Sequence, residues 1–231
     1  IAFFTAIRRV DFLEPASVST AGGFFWAVAS RGRPLPSMQT NQRFGNIATP
    51  ATRWFFVAVL LFWAAGLLVM VNYRKGEGFL WMRRVGSPVF DFLFTYLTHV
   101  GDGLMAVAIC VLWLLQKKWS RAIVLFAAFA VSGILAQLVK HSVEAPRPYV
   151  FFENNGQQID AVEGVKLLSN FKSFPSGHTA TAFALATSLV LLMPWWQKRW
   201  WLAFVAAVGI GYSRVYLGQH FLQDVLAGSV L

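Results

Sequence analysis

Of 231 residues, 57% are hydrophobic and 13% charged, about half the charged share of a soluble domain. That balance excludes a water-soluble globule and places the chain in a bilayer. The net charge of +10 comes without a basic run interleaved with aromatics, so it reads as cations facing anionic lipid and not as a nucleic-acid surface. Cys110 is the single cysteine, which excludes a disulfide or a cysteine-based metal site within the chain.

The chain opens on Ile1 in place of Met and stops in an apolar run at Leu231, as expected for a piece of a longer product. Residues 1–52 mix apolar patches such as 24–29 with Arg8, Arg9, Arg31, Arg33, Arg43 and several prolines, and no window reaches the ~18 apolar residues a span needs. They form a non-spanning lead with nothing catalytic in it, and residues 53–231 form the membrane domain.

Trp54 to Asn72 is uncharged, with Trp at its entrance and Tyr73 at its exit, the pattern of a first membrane helix with an aromatic belt. After Arg74, Lys75 and a short glycine-containing loop, the apolar stretch from Val89 to Thr98 is interrupted by Asp91. A second span is predicted from Leu97 to Gln116, with His99 and Asp102 at its entrance, and a third from Ala122 to Val139. Lys140 to Phe174 is polar and reads as a solvated loop. Ser176 to Pro194 gives a fourth span, Trp200 to Leu217 a fifth, and a sixth starts near His220 and is cut at Leu231. The expected fold is therefore all-α: a polytopic bundle of six membrane helices, the last truncated, with a solvated loop between spans three and four.

Alternation of the spans places polar residues without further knowledge. Lys140 and Arg147 follow span three, His178 opens span four, Ser213 and Arg214 close span five, and His220 and Asp224 open span six. An odd-numbered end and an even-numbered start share one membrane face, so all seven meet there. Ionisable residues at that depth are costly and commonly functional. Arg8, Arg9, Arg31, Arg33, Arg43 and Arg53, then Lys117, Lys118 and Arg121, then Lys198 and Arg199 occupy the opposite face, which the positive-inside rule makes cytoplasmic. Arg74, Lys75, Arg83 and Arg84, on the site's own face, count against that orientation.

If the chain is helical from Gly218 onward, His220 and Asp224 stand at i and i+4 on one face, where the carboxylate accepts from one imidazole nitrogen and frees the other to attack. Arg214 lies just before Gly218, which can turn the chain and return the guanidinium to the same spot as a fork for an oxyanion. In Pro175-Ser176-Gly177-His178, Ser176 is placed as an N-cap, and the helix start would offer backbone N–H groups to an anion. His178, in the first turn, is placed to hand a proton to a leaving oxygen. Each of these motifs taken alone also fits ordinary capping or a cation reaching the interface.

Taken together, Lys140-x6-Arg147-Pro148, then Pro175-Ser176-Gly177-His178, then Ser213-Arg214-x5-His220-x3-Asp224 resembles the three-part signature of the type 2 phosphatidic acid phosphatase family, in order and with each signature position filled. The resemblance implies a six-helix membrane phosphatase with no metal or other cofactor. It implies that His220 attacks phosphorus to form a phosphohistidine with Asp224 holding its ring, and that His178 protonates the departing group and then activates water. Lys140, Arg147, Ser176, the Gly177 N–H and Arg214 are implied to bind the phosphoryl oxygens. The partners expected are a lipid phosphate and membrane lipids, with no nucleic acid, and the site is expected to face the periplasm from a bacterial inner membrane.

Phosphatidic acid, phosphatidylglycerol phosphate, undecaprenyl diphosphate and the lipid A phosphates all fit such a site, with the loop from Tyr149 to Ser173 shaping the choice. A lipid phosphotransferase would use the same residues. A non-catalytic binder of anionic lipid would need the cations but not two histidines and a carboxylate. A vanadate haloperoxidase has the same pocket, but those enzymes are soluble.

Overall fold

The computed structural model describes residues 49–231; the expected lead lies outside the described residues apart from its last few positions. Among the described residues there are ten helices and no strand: α1 Pro50–Asn72, α2 Lys75–Arg83, α3 Pro88–Val100, α4 Gly103–Leu115, α5 Trp119–Ser142, α6 Pro148–Asn154, α7 Gly177–Leu192, α8 Pro194–Lys198, α9 Trp200–Tyr216 and α10 Leu222–Val230. Helices α1 and α5 are long and apolar enough to cross a membrane, and α3 with α4 forms a third candidate bent by 51°. Local chemistry explains several starts. Thr49 caps α1 and Ser87 caps α3 through their hydroxyls, each followed by proline at the first helical position, where its missing N–H costs nothing.

Helix α7 is the axis of the fold. None of its residues is exposed, and it packs against α4, α5, α9 and α10. One core joins Phe55 and Val59 of α1 to Phe183 and Val190 of α7 and Ala207 and Ile210 of α9. A second joins Trp113 of α4 and Leu125 of α5 to Leu185 and Leu192 of α7. A third, of Phe79, Phe152, Val215, Phe221 and Val225, lies at the α10 start. Outward faces carry exposed Leu60, Leu61, Leu67 and Leu68 on α1 and Ile123, Ile134 and Leu138 on α5, the surface that a lipid solvent requires.

Four expectations are corrected. The second span does not start at Leu97: helix continues from Pro88 and breaks at Gly101-Asp102. Asp91 does not interrupt it, because Tyr216 Oη donates to its Oδ1 at 2.5 Å and satisfies the charge. The polar stretch after Lys140 is not wholly a solvated loop, since it forms α6 and buries Pro148, Val150 and Phe152. The short loop after the first span is instead α2, anchored where Arg83 Nε donates to the Tyr216 carbonyl at 2.9 Å.

Candidate active site

Helix α9 ends at Tyr216, and Gly218 adopts φ +71°, a left-handed turn that glycine takes without penalty. His220 therefore sits in the turn ahead of α10, not within a helix as expected from Gly218 onward. The His220–Asp224 contact still forms, by a different route. Asp224 occupies the third position of α10, where Oδ2 accepts from the Phe221 N–H at 2.9 Å, stands 3.4 Å from His220 Nδ1 and accepts from Ser173 Oγ at 2.5 Å. A carboxylate so placed caps the helix and orients the imidazole at once. His220 is 2% and Asp224 0% exposed. Burial lowers the His220 pKa from 6.5 to about 4, against the opposing pull of Asp224, so the ring is neutral at ordinary pH, the form that can act as a nucleophile.

Arg147 faces the other nitrogen of that ring, with Nη1 3.4 Å from His220 Nε2. Its guanidinium is fixed from three directions: Nε donates to Asn170 Oδ1 at 2.9 Å, Nη1 to the Gln219 carbonyl at 2.8 Å and Nη2 to the Lys172 carbonyl at 3.5 Å. Backbone bonds from Arg147 N to the Asn170 carbonyl and from Ser173 N to the Ala145 carbonyl zip the two ends of the loop together. Arg147 and Ser173 thus reach the site as one unit. Arg214, at the end of α9, donates from Nη1 to Thr98 Oγ1 at 2.7 Å, while its buried Nε has no hydrogen-bond partner among the described residues. Lys140, at the end of α5, lies within electrostatic reach of Arg147, Arg214 and Asp224. Three converging cations make a site for a multiply charged oxyanion.

Ser176 caps α7 as expected: Oγ accepts from Thr179 N at 3.4 Å and from Thr179 Oγ1 at 2.9 Å, and its own N–H donates to the Asp224 carbonyl at 2.9 Å. The hydroxyl is completely buried. A Cβ on Gly177 would stand 3.6 Å from Lys140 Nζ, so the lysine lies over the bare helix start. His178 follows, its Nε2 2.6 Å from Asp102 Oδ1. The structure thereby brings together the eight residues to which the resemblance gives catalytic or phosphate-binding roles: Lys140, Arg147, Ser176, Gly177, His178, Arg214, His220 and Asp224; Ser213 instead donates to the Ile210 carbonyl.

It also adds residues that sequence reasoning missed. Ser173, Asn170 and Thr98 orient Asp224, Arg147 and Arg214, and nothing local marks them. Asp102 had a signal: it opens an even-numbered span, so alternation puts it on the site's face. Among the described residues, no group of three or more His, Cys, Asp or Glu side chains is arranged to hold a metal; the charge at this site is organised by cations.

A neutral buried imidazole with a carboxylate behind it and guanidinium groups ahead of it, at one end of apolar helices, is the arrangement of a membrane phosphoryl-transfer enzyme. The comparisons agree. The model of the PAP2 superfamily matches residues 121–231. A lipid A 1-phosphatase of Rhizobium etli is 30% identical over 190 residues, 72% of this chain and 78% of that protein. The crystal structure of Aquifex aeolicus LpxE superposes with a TM-score of 0.54 at 27% identity, over 66% of this chain and 86% of the other. A transmembrane PAP2-type phosphatidylglycerolphosphate phosphatase from Bacillus subtilis gives 0.52 at 25% identity, over 76% and 89%. The chain belongs to the PAP2 superfamily. It is an integral membrane protein and a lipid phosphatase.

Proposed function

We propose that the chain hydrolyses the terminal phosphate of a membrane lipid through a covalent intermediate on His220. One observation carries this reading: His220 is held between Asp224 at Nδ1 and Arg147 at Nε2, so the nitrogen turned away from the carboxylate faces a guanidinium that would hold a phosphoryl group. His220 Nε2 attacks phosphorus, and the bond to the leaving oxygen breaks as His178 gives that oxygen a proton. Arg147, Arg214 and Lys140, with the Gly177 N–H, balance the charge on the equatorial oxygens, where electrostatic stabilisation counts most. His178 then takes a proton from water, the hydroxide oxygen attacks the phosphohistidine, and inorganic phosphate leaves with His220 restored. Asp224 stabilises the positive ring of the intermediate. Ser176 fixes the helix start that presents Gly177 and His178, and because its Oγ only accepts from Thr179, its own hydroxyl proton is left to donate to a phosphoryl oxygen.

The Rhizobium etli relative favours a lipid A 1-phosphate among the candidates, ahead of phosphatidylglycerol phosphate, undecaprenyl diphosphate and phosphatidic acid. We read α1, the α3–α4 pair, α5, α7, α9 and α10 as six crossings of a bacterial inner membrane, with the site facing the periplasm and residues 1–52 outside the phosphatase domain. The purified chain, given the four lipids side by side in EDTA, is expected to release inorganic phosphate from at least one and fastest from lipid A 1-phosphate. Absence of release from all four refutes the hydrolase; a faster rate on another lipid refutes the substrate assignment alone.

A further inference from the structure

An aspartate at a helix N-cap ordinarily turns its side chain onto the helix's own first amides, a contact worth ~1 kcal/mol. Asp102 holds the N-cap position of α4, yet its side chain makes no capping bond. It reaches instead to α7, where Oδ1 lies 2.6 Å from His178 Nε2, while Oδ2 stands 3.3 Å from His99 Nδ1. The backbone is shaped for this approach. A Cβ at Gly101 would come 2.5 Å from Ile210 Cγ2 and 3.2 Å from the His178 carbonyl oxygen, so only glycine seats the α3–α4 break against the start of α7. Charge gives the contact its purpose. Of the charged groups that act on the His178 ring, Arg214 of α9 and Lys140 of α5 are cations, and Asp102 is the anion.

We propose that Asp102 is the positioning residue of the general acid, an inference that rests on His178 filling that role. The carboxylate accepts the Nε2 proton, fixes the plane of the ring and leaves Nδ1 to exchange a proton with the leaving oxygen. When the phosphorus–oxygen bond breaks, the Nδ1 proton passes to the departing alcohol and the ring becomes neutral, still donating from Nε2 to Asp102. In the second half-reaction Nδ1 recovers a proton from the attacking water, and the imidazolium is restored beside its anion. The site is then built from two His–Asp pairs, one behind the nucleophile and one behind the acid, and the second pair lies outside the three-part signature.

The test uses leaving groups. Phosphoenzyme formation is timed in the detergent-purified chain with a short-chain lipid phosphate, whose alkoxide needs a proton, and with 4-nitrophenyl phosphate, whose nitrophenolate leaves without one. Asp102→Asn is expected to slow the lipid phosphate by roughly 10- to 100-fold and the aryl phosphate by less than about threefold. It should also move the basic limb of the lipid-phosphate pH profile to lower pH, since an imidazolium without its anion gives up its proton sooner. Asp102→Glu, which keeps the charge, should recover part of the rate, and unchanged thermal unfolding of both variants separates positioning from folding. His178→Ala is the control and should show the same split with a loss on the order of 10²- to 10⁴-fold for the lipid phosphate. If His178→Ala slows both substrates alike, His178 is not the acid and the underlying mechanism falls along with the inference. If His178→Ala splits them but Asp102→Asn slows both equally, or neither, with an unmoved pH profile, the inference about Asp102 alone is overturned.

Discussion

At the scale of single residues, the burial of His220 decides what its neighbours must do. A ring lowered to about 4 stays unprotonated at neutral pH without help, so in the proposed mechanism Asp224 serves to orient it and to stabilise the charge gained on phosphorylation. His220→Ala should therefore cut turnover by on the order of 10³-fold or more, and Asp224→Asn by about 10²- to 10⁴-fold, with both proteins folded. The acid limb of kcat/KM should follow the same ring: activity is present above about 4 and lost as pH falls through it. A limb near 6.5 that persists after correction for the second ionisation of the substrate phosphate, about 6, would show that the nucleophile is not buried as described. Arg147 uses Nε and both terminal nitrogens in separate directions, which a lysine cannot imitate. Arg147→Lys should raise the barrier by about 1.5–3 kcal/mol, a roughly 10- to 100-fold loss in kcat/KM; near-normal kcat/KM would reduce Arg147 to an interfacial cation.

At the scale of elements, the spans were legible where composition alone defines them and illegible where a distant partner decides. Trp54 to Asn72 and Ala122 to Val139 fall inside α1 and α5 because an unbroken apolar run has few alternatives in lipid. Asp91 misled the reading of α3 because its partner Tyr216 is far along the chain, and α6 was missed because its burial depends on Phe79 and Phe221. The signature residues were legible as a group because their types and spacing stand together in the sequence, and the fold gathers them at one place; their chemical roles are the proposal above. Their supports, Ser173, Asn170 and Thr98, bind across folds of the chain and leave no local trace. The α3–α4 break has its own prediction. Gly101→Ala forces a methyl against Ile210 and the His178 carbonyl, and should destabilise by about 1–3 kcal/mol while lowering kcat more than it raises KM. Unchanged unfolding and activity would mean that the turn does not seat against α7.

At the scale of the whole molecule, the proposed orientation turns on the four cations of the segment after α1. Lys75 Nζ lies 4.1 Å from the centre of the Phe221 ring, and Arg83 donates to the carbonyls of Tyr216 and Asp160 at 2.9 and 2.8 Å. Two of the four are thus tied to the protein beside the site, which weakens their vote against a periplasmic face under a rule that counts loop cations by topology. Gln157 and Gln116 are exposed and Cys110 is buried, whereas Gln197 is buried and unsuited to labelling. In a Cys110→Ala background, a membrane-impermeant thiol reagent on intact cells should label Gln157→Cys and spare Gln116→Cys. The reverse pattern would invert the topology and leave the chemistry untouched.

The covalent bond at His220 is the claim on which the mechanism stands. The full chain, mixed with its fastest lipid phosphate and quenched in alkali within one turnover, should yield a phosphoryl group on the peptide carrying His220 by mass spectrometry, stable to base and lost in acid. The same group should be absent from His220→Ala. A phosphoryl group on another residue, or none while phosphate is still released, would contradict the account.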